Sequence, residues 1–151
     1  MLDDTDRRIL RQMQADPAAS VATVAQRAGL SHAPCWRRIA RMERDGVIKG
    51  RQILIDQRKL GLEVQVFLRI TLDKTARNAF DAFIAEARTI PEVTAIQTLL
   101  GRVDIRMDVT ARDLAHYQQI YRDRIMALPH ILDLESLMLV SELKNTQAVP
   151  V

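Results

Sequence analysis

From Ser31 to Gly46 the sequence Ser-His-Ala-Pro-Cys-Trp-Arg-Arg-Ile-Ala-Arg-Met-Glu-Arg-Asp-Gly admits one regular structure, a helix with two chemically opposed faces. Ser31 suits an N-cap, Pro34 is tolerated in a first turn whose N–H groups have no helical partner, and Gly46 suits a left-handed stop. Cys35, Ile39 and Met42 recur at i, i+4, i+7 as an apolar stripe, while Arg37, Arg41 and Arg44 repeat that spacing on another side. One face packs and the other is cationic. His32 and Trp36 stand near the N-terminal end, the end that recognition helices direct at base edges in a major groove. This pattern predicts a DNA-reading helix. Trp36 suits either a base contact or an anchor packed on a neighbouring helix, and Cys35 reads as a small core residue.

The residues on either side supply the context such a helix needs. Acids at Asp3, Asp4 and Asp6 followed by Arg7, Arg8 and Arg11 match a helix dipole, and Asp16-Pro17 ends that helix, so a first helix is expected over 4–15. Ser20 caps a short helix carrying Val21, Val24, Ala25 and Ala28. Gly29 then gives the turn before Ser31. Small Ala25, four residues before Gly29, permits the close crossing of a helix-turn-helix. Beyond Gly46, Val47 to Asp56 reads as strand, turn at Gly50 and strand, the form of a winged hairpin. Lys49 and Arg51 at its tip would meet phosphates, unless the hairpin only connects to the next domain.

Charge supports the same division. Residues 1–52 hold ten Lys and Arg against six Asp and Glu, whereas residues 53–151 hold twelve against thirteen. The positive excess of this 151-residue chain therefore sits in its first third. Apolar runs are interrupted by charge well before the ~18 residues of a membrane span, and no signal pattern opens the chain, so a cytoplasmic protein is expected. One cysteine and three scattered histidines offer no spacing for structural zinc. Neither metal nor cofactor is predicted.

A linker is expected over 57–63, around Gly61, and a second domain over 64–151. Val64, Val66, Leu68, Ile70 and Leu72 alternate as a half-buried strand, and Phe80, Phe83, Ile84, Ala87 and Ile90 then switch to helical spacing before Pro91. Val93–Leu100 and Val103–Val109 read as a hairpin turning at Gly101-Arg102. Leu114, Tyr117, Tyr121, Ile125 and Leu128 make a second helix, and 131–143 a last strand. The order βαββαβ predicts an antiparallel four-stranded sheet with both helices on one face, a ferredoxin-like arrangement, so the chain is α+β overall. The apolar run Leu137-Met138-Leu139-Val140 suggests that the open face is covered by a second copy. A homodimer would also place two reading helices on successive turns of DNA.

With these elements in order, the chain resembles the leucine-responsive and asparagine-responsive (Lrp/AsnC, feast/famine) family of transcription regulators over essentially its full length. The resemblance is carried by Leu2-Asp3-x-x-Asp6-x-x-Ile9-Leu10 and by Gly29-Leu30-Ser31-x-x-Pro34-Cys35-x-x-Arg38-Ile39-x-x-Met42-Glu43-x-x-Gly46-Val47-Ile48-x-Gly50. It continues through Leu60-Gly61, Pro91-Glu92-Val93 and Gly101-x-x-Asp104. It implies an N-terminal winged helix-turn-helix domain over 1–56, dimers that assemble to octamers, and a small amino-acid-like effector bound in the second domain between dimers. By position, the effector loop is Leu100, Gly101, Arg102, Val103 and Asp104, with Ser136 on the last strand facing the ligand. Leu100 departs from the Ser or Thr common there. A glycine turn can hold a carboxylate on N–H groups and Asp104 can accept from an ammonium, which suits a zwitterion.

The expected function is sequence-specific transcription regulation on double-stranded DNA at the nucleoid, with His32, Ala33, Trp36 and Arg37 at bases and Arg38, Arg41, Lys49 and Arg51 at phosphates. The alternative is an enzyme like the siroheme decarboxylases, which look similar to this family. It would need catalytic His or Arg groups in a tetrapyrrole-sized cleft. His116 and His130 are the only histidines of the second domain, and no Ser-His-Asp or paired-carboxylate arrangement is visible, so a non-enzyme is predicted.

Overall fold

The computed structural model describes residues 1–146 and 148–151, in two compact units. The first comprises Met1–Leu54 together with Lys144–Val151, and the second Ile55–Leu143.

In the first unit, α1 (Asp4–Ala15), α2 (Val21–Ala28) and α3 (His32–Arg44) start and stop close to where their sequence dictates. Asp3 caps α1 in a reciprocal box with Asp6, and Ser20 Oγ accepts from the Thr23 N–H at the start of α2. Ser31 occupies the N-cap of α3 but its hydroxyl makes no capping bond. Gly29 and Gly46 both adopt φ near +70°, and each closes its helix in the same way. The Leu30 N–H reaches Ala25 O at 2.8 Å, and the Val47 N–H reaches Met42 O at 2.9 Å. Cys35, Ile39 and Met42 are buried with Ile9, Val24, Ala25 and Ala28, so the expected apolar stripe is the seam on which the three helices meet.

The expected winged hairpin is not formed. Val47–Asp56 contains no strand, and Ile53, Leu54 and Ile55 are exposed, Leu54 by 82%. An isolated two-stranded ribbon is marginal in water unless its apolar side chains are covered, and among the described residues nothing covers these. Lys49 and Arg51 therefore lie on an irregular exposed segment rather than at a hairpin tip.

In the second unit, β1 (Val64–Leu72), α4 (Ala79–Ala87), β2 (Val93–Thr98), β3 (Ile105–Ala111), α5 (Leu114–Ile120) and β4 (Ile131–Met138) follow the βαββαβ order. The sheet order is β2-β3-β1-β4, all pairs antiparallel, as the ferredoxin-like reading requires. Val66, Leu68, Ile70 and Leu72 alternate into a core with Phe83, Ala87, Met107, Val109, Tyr117 and Ile120, which places both helices on one face. On the other face, Arg106 stacks 4.6 Å from the Phe67 ring centre and Arg69 pairs with Glu135 at 3.2 Å.

The last strand, the linker and the second helix of this unit depart from the sequence reading. The last strand ends at Met138 rather than at 143: Leu139 N–H still reaches Gln65 O at 2.9 Å, but β1 begins at Val64 and offers no partner beyond. The expected linker contains a 3-10 turn, Gln57–Leu60, whose Gln57 side chain bonds Thr110 and Gln65. The second helix of this unit widens into a π turn over Tyr121–Ile125, with Met126 N–H donating to Tyr121 O. Residues five apart on an α-helix point about 140° apart. The wider turn keeps both Ile120 and Ile125 in the core.

Candidate nucleic-acid interface and effector loop

α3 presents its first two turns to solvent. His32, Ala33, Trp36 and Arg37 are all exposed, and Trp36, at 55%, is not a packing anchor. The capping turn at Gly29 and the buried Cys35 and Ile39 fix the helix from behind, so these four side chains occupy one outward surface at the N-terminal end. Among the described residues, Arg37, Lys49 and Arg51 enter no ion pair or side-chain hydrogen bond, and Arg44 lies only loosely by Asp45 at 3.7 Å. On α3 and the segment that follows it, these are the cations available to an anion.

Arg38 and Arg41 are not the free phosphate clamps expected from the sequence. Arg38 donates to Asp3 at 2.7 Å and to Asp6 at 2.8 Å, and Arg41 donates to the other Asp6 oxygen at 2.5 Å. Asp6 is fully buried (0% exposed), so its charge demands partners, and the nearest cations on α3 supply them. The consequence is a clasp between the start of α1 and the middle of α3. Burial disfavours the Asp6 carboxylate, but the Arg38 and Asp3 N–H bonds and the Arg41 charge outweigh it and hold its pKa below 3.8. Asp3, bonded by the Asp6 N–H and by Arg38, is lowered to about 2.

A carboxylate whose folded pKa lies below its unfolded value stabilises the fold above the unfolded pKa, and that contribution is lost as pH falls through the folded one. The first unit is therefore expected to keep constant stability from pH 8 to pH 5 and to lose it between about pH 4 and pH 2. Urea midpoints followed by Trp36 emission, the only tryptophan, check this. A midpoint unchanged at pH 3 would contradict the clasp.

In the second unit, the Leu100–Asp104 turn joins β2 to β3 and is pinned by Leu99 N–H to Asp104 O at 2.8 Å and Asp104 N–H to Ile70 O at 3.0 Å. Leu100, Gly101 and Arg102 are exposed and Val103 half-buried. Asp104 is 4% exposed, and its oxygens accept the Leu72 N–H at 2.9 Å and the Lys74 ammonium at 2.7 Å. Lys74 and the Leu72 N–H together outweigh burial and lower the Asp104 pKa. The expected ammonium acceptor thus already holds an ammonium, from a lysine that is itself 59% exposed. Sequence reading missed Lys74 because thirty residues separate it from Asp104.

Ser136 lies elsewhere. It is paired with Leu68 across β1 and its hydroxyl meets the Tyr117 hydroxyl at 2.9 Å, beside a shallow pocket of ≈ 240 Å³ lined by Tyr117, Gln118, Tyr121 and Ser136. Burial raises the Tyr117 pKa against the opposing Ser136 bond. Asp104 meets β1 at Ile70 and Leu72, and Ser136 pairs with Leu68 from the other side of that strand.

Of the second unit's two histidines, His116 is hydrogen-bonded and His130 lines an open pocket of ≈ 370 Å³ with Tyr121, Met126 and Leu128. His116 Nδ1 accepts the Arg112 N–H and its Nε2 lies 3.8 Å from Glu92, while His130 takes φ +64° in the turn before β4. Among the described residues no cluster of His, Cys, Asp and Glu is arranged to hold a metal. Among the described residues no helix is long and apolar enough to cross a membrane.

Comparison with known proteins agrees with both units. A family model described as winged helix-turn-helix DNA-binding matches residues 2–49, and one described as Lrp/AsnC ligand binding domain matches residues 65–149. The glutamate uptake regulatory protein of Zymomonas mobilis is 32% identical, with 99% of this chain and 90% of that protein covered. An AsnC family transcriptional regulator from Agrobacterium tumefaciens superposes with TM-score 0.90 at 36% identity, covering 99% of this chain and 97% of that one. The NMB0573/L-Met complex from Neisseria meningitidis superposes with TM-score 0.92 at 26% identity over the same shares.

Proposed function

The chain belongs to the Lrp/AsnC family of transcriptional regulators, and from that premise we propose that it binds specific sites on double-stranded DNA through α3 and is modulated by an amino acid or a close analogue. The observation that carries the DNA reading is the outward surface of His32, Ala33, Trp36 and Arg37 on the first turns of α3, backed by unpaired Lys49 and Arg51. Arg37 reads bases, Lys49 and Arg51 hold phosphates, and Arg38 and Arg41 hold α3 on α1. The protein acts as a non-enzymatic regulator at the nucleoid in the cytoplasm.

An effector carboxylate would seat at the Gly101 turn and its ammonium at Asp104 in place of the exposed Lys74 ammonium, with Ser136 supplied by another copy. The L-Met complex of the Neisseria relative supports the ligand class. The exposed Leu137, Met138 and Val140 support a homodimer, and further assembly to an octamer would bring effector loops together. Effector binding then changes DNA occupancy only if it favours one assembly over another.

Arg37→Ala is expected to weaken the specific site by about 1–2 kcal/mol while sparing random DNA. Arg51→Ala should weaken both alike and flatten the salt slope by about 0.9. Fluorescence titrations on a specific and a random duplex at several salt concentrations separate the two. Equal losses on both duplexes for Arg37→Ala would remove base reading from that residue.

A further inference from the structure

The tail Lys144–Val151 follows the sheet unit in sequence but belongs to the DNA-binding unit. Its residues Val149 and Val151 meet the second half of α1. The Gln14 amide brackets the Val149 peptide, Nε2 donating to Val149 O at 3.0 Å and Oε1 accepting the Val149 N–H at 2.7 Å. Arg11 Nε donates to the main-chain oxygen of Val151 at 2.6 Å. Arg11 and Gln14 are three apart and share one face of α1, and they meet main-chain groups two apart on the tail. The contact reads main chain rather than side chains, since the Val149 side chain stays exposed.

Such a contact holds without locking. Each exposed hydrogen bond shifts an open–closed equilibrium by roughly 2- to 10-fold, so this few keep the tail closed while leaving it able to open without unfolding the unit. The other end of α1 carries Asp3 and Asp6, which clasp Arg38 and Arg41 of α3. One helix thus bears the tail at one end and the reading helix at the other. Residues 139–143 alone separate the tail from β4, which gives a change at the last strand a covalent route to α1.

We propose that residues 148–151 are a releasable strap on α1, and that strap closure steadies the α1–α3 clasp and so raises the DNA affinity of the unit. The second half of this statement rests on the DNA reading above; strap closure itself does not.

The test uses the full chain and two variants that weaken the same contact from opposite sides. Gln14→Leu removes both amide bonds without changing charge, and Val149→Pro removes the tail donor without touching α1. Amide hydrogen exchange is read at Gln12–Ala15 in all three proteins and at Val149 in wild type and Gln14→Leu, alongside affinity for one DNA duplex at fixed salt. The expected result is about 2- to 10-fold faster exchange at Val149 in Gln14→Leu, faster exchange at the end of α1 in both variants, and a DNA affinity lowered by a similar factor in both. Unchanged exchange at Val149 in Gln14→Leu overturns the strap. Faster exchange with unchanged DNA affinity overturns its link to DNA. If the wild-type chain binds no DNA, the DNA reading has failed and the link falls with it, while Val149 exchange still decides whether the strap closes.

Discussion

Replacing Asp6 by alanine is expected to destabilise the DNA-binding unit by about 2–3 kcal/mol, although Asp6 touches no DNA in the proposed complex. Its carboxylate is fully buried and accepts three donors: the Asp3 N–H at 3.1 Å, Arg38 at 2.8 Å and Arg41 at 2.5 Å. Removing it leaves one capping N–H without its partner and two guanidinium groups without their counter-charge. Stripping one member from a fully buried ion pair costs about 3–5 kcal/mol, but the Arg38 and Arg41 side chains are 30% and 40% exposed, so water recovers part of the loss. Asp6→Asn keeps one acceptor oxygen and should cost roughly half as much. Urea unfolding read by Trp36 emission measures both, and a loss below about 0.5 kcal/mol for Asp6→Ala would mean that the clasp contributes no more than a surface pair. Arg41→Ala should then act mainly through stability, with little change in salt slope once the variant is folded.

At Asp104, structural and functional roles separate between two substitutions. Asp104→Ala leaves the Leu72 N–H unpaired in a buried place and frees Lys74, for an expected cost of about 2 kcal/mol to the sheet unit. Asp104→Asn keeps an acceptor for the Leu72 N–H and loses only the pairing with a lysine that is largely solvated, so the fold should lose less than about 1 kcal/mol. Any effector bound through its ammonium at Asp104 should nevertheless lose about 10-fold or more in affinity, because a neutral amide cannot replace the carboxylate's charge. Calorimetric titration of Asp104→Asn with L-methionine, L-leucine, L-asparagine and L-glutamate, against wild type, measures this. Equal affinities in the two proteins would place the ammonium elsewhere.

Much of this architecture was legible because helix ends and strand faces are local properties. Gly29 and Gly46 demand positive φ, the Cys35/Ile39/Met42 stripe has a single way to be buried, and the period change after Leu72 separates sheet from helix. What escaped is what depends on distant or missing partners. Spacing made Arg38 and Arg41 look like part of a free cationic face, yet Leu2-Asp3-x-x-Asp6 held the clue: an acid at a position facing the core needs a cation, and α3 carries the nearest ones. Lys74 and the tail bonds of Gln14 join residues far apart in sequence and leave no local signature. The segment 47–56 has strand propensity without anything in one chain to pair with. The candidate site residues were accordingly readable as types, and their exposure was not.

The most direct test of the central claim is binding of the purified chain to the DNA upstream of its own gene, against random duplex of equal length, across a salt series and with the same amino-acid panel. Trp36 emission reports the complex, since this side chain is exposed on the proposed reading surface. With Lys49 and Arg51 at phosphates and Arg44 available beside them, log K should fall with log salt by about 2–3 per bound copy, with Trp36 emission changing on the specific duplex and one or two amino acids shifting the curve. No binding at low salt, or equal and salt-independent affinity for both duplexes, would contradict the account and leave α3 a structural helix only.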